Sequence, residues 1–167
     1  MHRRLLTGLA VVAVVGGLVA AEVLSGSSNG SGTGRTAPPL PTSVLVPPKV
    51  TLTSLRGKPA AINFWASWCT PCRQEAPDLE RLGRSLHGRA QLVGVDWNDG
   101  LSGARSYIRQ YGWTFPNLRD PDGVVGNSYG IQGLPTTFIL NSRGTIIDVL
   151  RGPQSLESLR QALYSAG

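Results

Sequence analysis

The only two cysteines of this 167-residue chain, Cys69 and Cys72, stand three positions apart inside the run NFWASWCTPCRQEAP (Asn63–Pro77). Three chemistries use a Cys-x-x-Cys pair: zinc ligation, a covalent clip, and reversible thiol–disulfide exchange. A structural zinc ion takes four Cys or His ligands. The histidines here are His2, in a leader-like N-terminus, and His87, so the chain closes no such site alone. A clip fares equally poorly, because its stabilisation grows with the loop it encloses and this one holds only Thr70 and Pro71. Exchange accounts for the placement. A strand that ends before Cys69 and a helix that starts there put its sulfur at the helix N-terminus, where unpaired N–H groups and the dipole favour a thiolate. Cys72 then lies within the first turn, less exposed, and suits the resolving role. Pro71 stiffens the loop and fits the first helical turn, which has no use for its missing N–H.

The surrounding sequence supplies those elements. AAINFWA (Ala60–Ala66) is a nearly continuous apolar run, as expected of a central strand buried on both faces. Beyond Pro71 the apolar residues Ala76, Leu79, Leu82 and Leu86 recur at helical spacing, with Pro77 inside the pattern as a source of kinking, and the run closes at His87-Gly88. QLVGVDW (Gln91–Trp97) reads as a second buried strand. SGARSYIRQYG (Ser102–Gly112) reads as a helix ended by glycine, DPDG (Asp120–Gly123) as a turn, and VVGNSYG (Val124–Gly130) as a short helix. TTFIL (Thr136–Leu140), the turn NSRG and TIIDVL (Thr145–Leu150) read as a hairpin. SLESLRQALYSA (Ser155–Ala166) is an amphipathic helix with Ser155 as N-cap. VTLTSL (Val50–Leu55) alternates like a strand and stops at the turn RGKP. The order predicts an α/β domain, a central mixed β-sheet flanked by helices on both faces.

Ahead of this domain, Arg3 and Arg4 precede the uncharged stretch Leu5–Ala21, on the border between a long signal-peptide core and a short membrane span. Arginines before it and none just after it set the N-terminus inside and the rest outside. Residues 1–24 are therefore read as a signal peptide or signal-anchor helix, with LVAAE offering a cleavage site. SGSSNGSGTG (Ser25–Gly34) and APPLP (Ala37–Pro41) read as a flexible linker over 25–42, and the domain as 43–167. An extracytoplasmic compartment is one in which disulfides persist.

Other chemistries find little support. The net charge of +6 comes from singly spread arginines interleaved with acids, with no basic run carrying aromatics, so no nucleic-acid partner is expected. GSGTGR lacks the strand and the lysine–hydroxyl pair of a phosphate loop. His87 at a helix end gives no basis for a Ser–His–Asp hydrolase. Trp65, Trp97 and Trp113 read as packing residues. No metal or other cofactor is expected.

FWASWCTPC resembles the active site of thioredoxins, and INFWASWCTPCRQEAP resembles the membrane-tethered TlpA/ResA/CcmG (DsbE) branch of that superfamily. The likeness runs from about Ser43 to the C-terminus and includes GVDWND (Gly94–Asp99), DPDG and YGIQGLPTTFIL (Tyr129–Leu140). It implies a thioredoxin fold, with Cys69 as nucleophile, Cys72 as resolving thiol and Trp68 beside them. Pro135 matches the family's cis-proline, which lies against the disulfide and frees the preceding backbone, at Leu134, for substrate; Leu134, Pro135 and Thr136 are the expected substrate-binding residues there, with Trp68. Where thioredoxin carries a buried aspartate that assists proton transfer, this chain has Asn63. Glu75 matches an acidic residue near the active site of the branch, suited to relaying protons between the thiols; the alternative is a solvated glutamate near a helix N-terminus.

The resemblance further implies an extracytoplasmic protein disulfide reductase of the bacterial cell envelope, anchored through its N-terminal helix. Its electrons would come from a membrane thiol-transfer protein, and apocytochrome c cysteines would be among its substrates. Thr136 departs from the acidic residue often found there in cytochrome-maturation members, which points to a different substrate choice. The alternatives are a DsbE-type oxidant of exported proteins, a thiol peroxidase, and a non-catalytic binding module.

Overall fold

The computed structural model describes residues 32–167; the signal or anchor expected over 1–24 lies outside them. Among the described residues no helix is long and apolar enough to cross a membrane. The elements run β1 (Ser43–Val46), α1 (Leu52–Leu55), β2 (Ala60–Trp65), α2 (Thr70–Ser85), β3 (Gln91–Trp97), α3 (Leu101–Tyr111), β4 (Asn117–Asp120), α4 (Val124–Tyr129), β5 (Thr136–Leu140), β6 (Ile146–Arg151) and α5 (Leu156–Tyr164). They form one six-stranded mixed sheet in the order β1-β4-β3-β2-β5-β6. Strands β2, β3 and β4 are parallel, while β5 and β6 extend the sheet antiparallel on one side and β1 does so on the other.

All six residues of β2 are buried, and their two-residue alternation divides the interior. Ala61 and Trp65 enter a core with Leu79 and Leu82 of α2, Ala104 and Tyr107 of α3, and Leu159 and Leu163 of α5. Ile62 and Phe64 enter the opposite core with Val93, Val95, Leu118, Tyr129 and Phe138. Asn63, between Ala61 and Trp65, therefore faces α2. Trp65 stacks on Tyr107 at 4.7 Å and meets Trp113 edge-on at 4.9 Å, so both tryptophans are packing residues. Trp113 also donates its indole N–H to the Ala76 carbonyl of α2 at 3.0 Å. The expected mixed sheet with helices on both faces is present.

Three local expectations change. The alternating stretch Val50–Leu55 is not a strand. Thr51 and Ser54 cap each other reciprocally, Ser54 N–H to Thr51 Oγ1 at 3.2 Å and Thr51 N–H to Ser54 Oγ at 3.0 Å, and the capping box turns the segment into α1. Strands β1 and β4 were not expected. Each is four residues long; β4 (Asn-Leu-Arg-Asp) is polar in sequence and buries Asn117 and Asp120, while β1 (Ser-Val-Leu-Val) is a short edge strand with its residues exposed or half-buried.

The linker assigned to 25–42 does not hold over its described part. Gly34 N–H donates to Ile146 O at 2.7 Å, Ile146 N–H to Arg35 O at 2.9 Å, and Ala37 N–H to Gly144 O at 3.0 Å, so these residues run along β6 as a strap. Pro38, Pro39 and Pro41 keep the next stretch extended without backbone donors, and Ala37 and Leu40 are buried in the Phe64 core. Arg35 Nη2 donates to Tyr129 O at 2.9 Å and Tyr129 Oη to Pro38 O at 2.8 Å. The packed domain begins before Ser43.

Gly94 in β3 shows how closely the elements at this end of the sheet meet. A Cβ there would overlap the Asn117 carboxamide, which accepts the Trp65 indole N–H at 2.9 Å and donates to Phe115 O at 3.0 Å. Gly94→Ala should lower stability by about 1–3 kcal/mol through overpacking, read as a lower denaturant midpoint at unchanged slope; a wild-type midpoint would contradict this packing.

Candidate active site

Strand β2 ends at Trp65 and the chain turns through Ala66–Trp68 into α2. Cys69 is the N-cap, with extended backbone at φ −79° and ψ 105°, and its Sγ accepts the Cys72 N–H at 3.1 Å. Thr70 opens the helix and Pro71 follows in its first turn. The first turn carries no acidic residue, so nothing there opposes the positive end of the helix. The two sulfurs form a disulfide, with Cα atoms 5.3 Å apart. Cys69 keeps slight exposure at 4%, against 1% for Cys72. Trp68 is the exposed residue of the turn, and its indole N–H donates to Asn98 O at 3.1 Å.

The residues expected to bind substrate gather at the same end of the sheet. Phe64 pairs with Thr136, so the start of antiparallel β5 lies beside the end of β2. The Leu134–Pro135 bond is cis, and the Pro135 carbonyl accepts Gly152 N–H at 2.9 Å. Leu134 packs against the core that holds both cysteines. Thr136 is nearly buried and turns its hydroxyl to Gly133 O at 2.8 Å. Beside Pro135 opens a cavity of about 250 Å³, with Tyr129, Phe138 and Val149 among its apolar walls.

Glu75 lies one helical turn after Cys72, on the same face of α2. It is only 1% exposed, so the solvated reading does not apply. Its Oε2 accepts the Asn63 amide at 3.2 Å, Asn63 donates also to Thr137 Oγ1 at 2.8 Å, and Glu75 Oε1 has no hydrogen-bond partner. Burial pushes the Glu75 carboxyl up to about 7, with the Asn63 amide pulling it partly back. A carboxyl raised this far can take up and release a proton closer to neutral pH than a solvated glutamate can.

A second buried carboxyl was not singled out from the sequence. Asp96 in β3 is fully buried, and its oxygens make no hydrogen bond. Arg119 Nε stands 3.7 Å from Oδ2, too far for a hydrogen bond. Burial, reinforced by nearby Asp99, outweighs that cation and pushes Asp96 up to about 8. The signal was present: an aspartate inside the apolar run LVGVDW has no solvent to face.

The chain is similar throughout this region to known proteins. The family model described as AhpC/TSA matches residues 33–149. The thioredoxin-like protein YneN of Bacillus subtilis is 31% identical over 168 residues, covering 98% of each chain. The thiol-disulfide oxidoreductase ResA of Geobacillus thermodenitrificans is 32% identical over 133 residues, covering 79% of this chain and 76% of that protein. Among solved structures, a secreted Mycobacterium tuberculosis disulfide oxidoreductase homologous to E. coli DsbE superposes with a TM-score of 0.62 at 28% identity, covering 68% of this chain and 85% of that one.

The raised Glu75 carboxyl makes stability depend on pH. The folded chain holds this proton more tightly than the unfolded chain, whose group titrates near 4.5. The contribution is therefore full below pH 4.5 and falls as pH rises through about 7. Glu75→Gln, which keeps an oxygen for Asn63, should match the wild type at low pH and exceed it at pH 8 by at most about 3 kcal/mol. Denaturation at the two pH values checks this; an equal difference at both would contradict it.

Proposed function

This chain belongs to the AhpC/TSA family, in its TlpA/ResA/CcmG branch, and is a thiol–disulfide oxidoreductase; we propose that it works as a protein disulfide reductase on the outer side of a bacterial cytoplasmic membrane. The observation that carries the reading is Cys69 as N-cap of α2, its sulfur facing the Cys72 N–H, with Glu75 buried one turn behind. The leader-like residues 1–24 and the secreted M. tuberculosis relative support the compartment.

The cycle begins with the reduced chain. The Cys69 thiolate attacks one sulfur of a substrate disulfide, and a Cys69–substrate bond forms as the substrate's own bond breaks. The departing substrate sulfur takes a proton. Cys72 then loses its proton, for which Glu75 is the nearest acceptor along α2, and attacks Cys69 Sγ. The second substrate thiol leaves, and the Cys69–Cys72 disulfide closes. A membrane dithiol protein returns two electrons and two protons. The substrate polypeptide lies along the backbone of Leu134, before cis-Pro135, with one side chain in the cavity beside Pro135 and Trp68 covering the other flank. Apocytochrome c cysteines are the substrate class that the branch suggests.

Direction is a matter of potential. Thioredoxin-like and DsbA-like couples differ by about 150 mV, or roughly 7 kcal/mol for two electrons. Equilibration with glutathione should place the Cys69–Cys72 couple below about −220 mV, towards the thioredoxin end. A value near −120 mV would make the protein an oxidant of exported proteins instead. In a companion test, Cys72→Ser should accumulate a mixed disulfide on Cys69 and Cys69→Ser should accumulate none on Cys72; the reverse pattern would exchange the two roles.

A further inference from the structure

Ser67 lies two residues before Cys69, in the turn that carries the chain from β2 to α2, and each of its polar groups is held. Its N–H donates to Asp99 Oδ2 at 2.6 Å and its hydroxyl to Asp99 Oδ1 at 3.0 Å. Its carbonyl accepts Arg73 Nη2 at 3.1 Å. Asp99 is fixed in turn. Oδ1 also accepts Gly100 N–H at 2.6 Å, and its carbonyl accepts Arg119 Nη2 at 2.8 Å. One residue earlier, Asn98 holds a positive φ of 51° and its carbonyl accepts the Trp68 indole. Two consecutive residues of the active-site turn are thus bonded to two consecutive residues of the β3–α3 turn.

The packing agrees. Gly103, in the first turn of α3, lies against Ser67, and a Cβ there would overlap the Ser67 hydroxyl. A two-point grip on Ser67 fixes both the position and the direction of the chain as it enters the N-cap.

We infer that Asp99 is a positioning residue for thiol–disulfide exchange: its carboxylate clamps Ser67 so that Cys69 enters α2 with its sulfur facing the Cys72 N–H. The inference rests on Cys69 being the attacking thiol. It has a rival with the opposite sign. If Asp99 acted only as a negative charge near the site, removing it would favour the Cys69 thiolate and speed exchange. A clamp that is removed lets the N-cap geometry relax and slows exchange, since misplacements on the order of 1 Å cost up to 100-fold in rate.

The test is the second-order rate of exchange between the reduced chain and oxidised glutathione, with thermal unfolding followed on the same samples. Asp99→Ala should be about tenfold slower than wild type. Asp99→Asn, whose Oδ1 can still accept the Ser67 N–H, should recover part of the loss. Gly103→Ala pushes on Ser67 without altering any charge and should slow exchange in the same direction. Should Asp99→Ala not fold, Gly103→Ala decides. An Asp99→Ala chain that exchanges at or above the wild-type rate overturns the inference, as does a Gly103→Ala chain at the wild-type rate. A wild-type chain that does not exchange removes the reading beneath the inference, and the inference with it.

Discussion

The sulfur of Cys69 accepts the N–H of Cys72 at 3.1 Å, at the point where a fully buried strand gives way to a sixteen-residue helix. That contact concentrates the free donors and the positive end of α2 on one atom. The chain leaves the sheet at Ala66, and α2 begins with Cys69 as its N-cap. Everything else at this end of the fold serves that junction. Strand β3 supplies the turn that holds Ser67 and Trp68, and β5 brings cis-Pro135 alongside. Helices α3 and α5 close the core on which α2 rests.

Among the buried carboxyls of the described residues, Glu75 and Asp96 are the ones that keep an oxygen without a hydrogen-bond partner. Burying a carboxylate is costly, and both groups respond by holding their protons towards neutral pH. Each has only partial compensation. Glu75 receives one amide hydrogen bond from Asn63, and Asp96 has a guanidinium 3.7 Å away. A core selected for stability alone would replace both with apolar residues of similar size. The position of Glu75, one turn behind Cys72, accords with proton transfer as part of the cycle. The neutral Asn63 amide is what lets Glu75 remain the only titrating group of that pair.

Much of this was legible in the sequence, for identifiable reasons. The continuous apolar run Ala60–Ala66 and the helical spacing after Pro71 each have one reading, and together they placed the helix start on Cys69. The hairpin Thr136–Arg151 and the capped helix from Ser155 were equally plain. The failures share a cause. Where local hydrogen bonds or distant packing decide the structure, periodicity misleads: the Thr51–Ser54 capping box makes a helix of an alternating segment. Strand β4 is polar yet interior, because Asn117 and Asp120 bond to Trp65 and to the α4 N–H groups of Val125 and Gly126. The Pro-rich strap has a linker's composition but drops Ala37 and Leu40 into the core. Asp99 was visible only as part of a motif, since nothing along the chain connects it to Ser67, thirty-two positions earlier.

The most direct measurement is the ionisation of Cys69 itself, followed by thiolate absorbance against pH in the reduced Cys72→Ser chain, which keeps the N–H facing Cys69. A sulfur held at the end of α2 should titrate at least one unit below the value of about 8.5 for a free cysteine. A midpoint at or above about 8.5 would mean that the helix does nothing for Cys69, and the account of this site would fail with it.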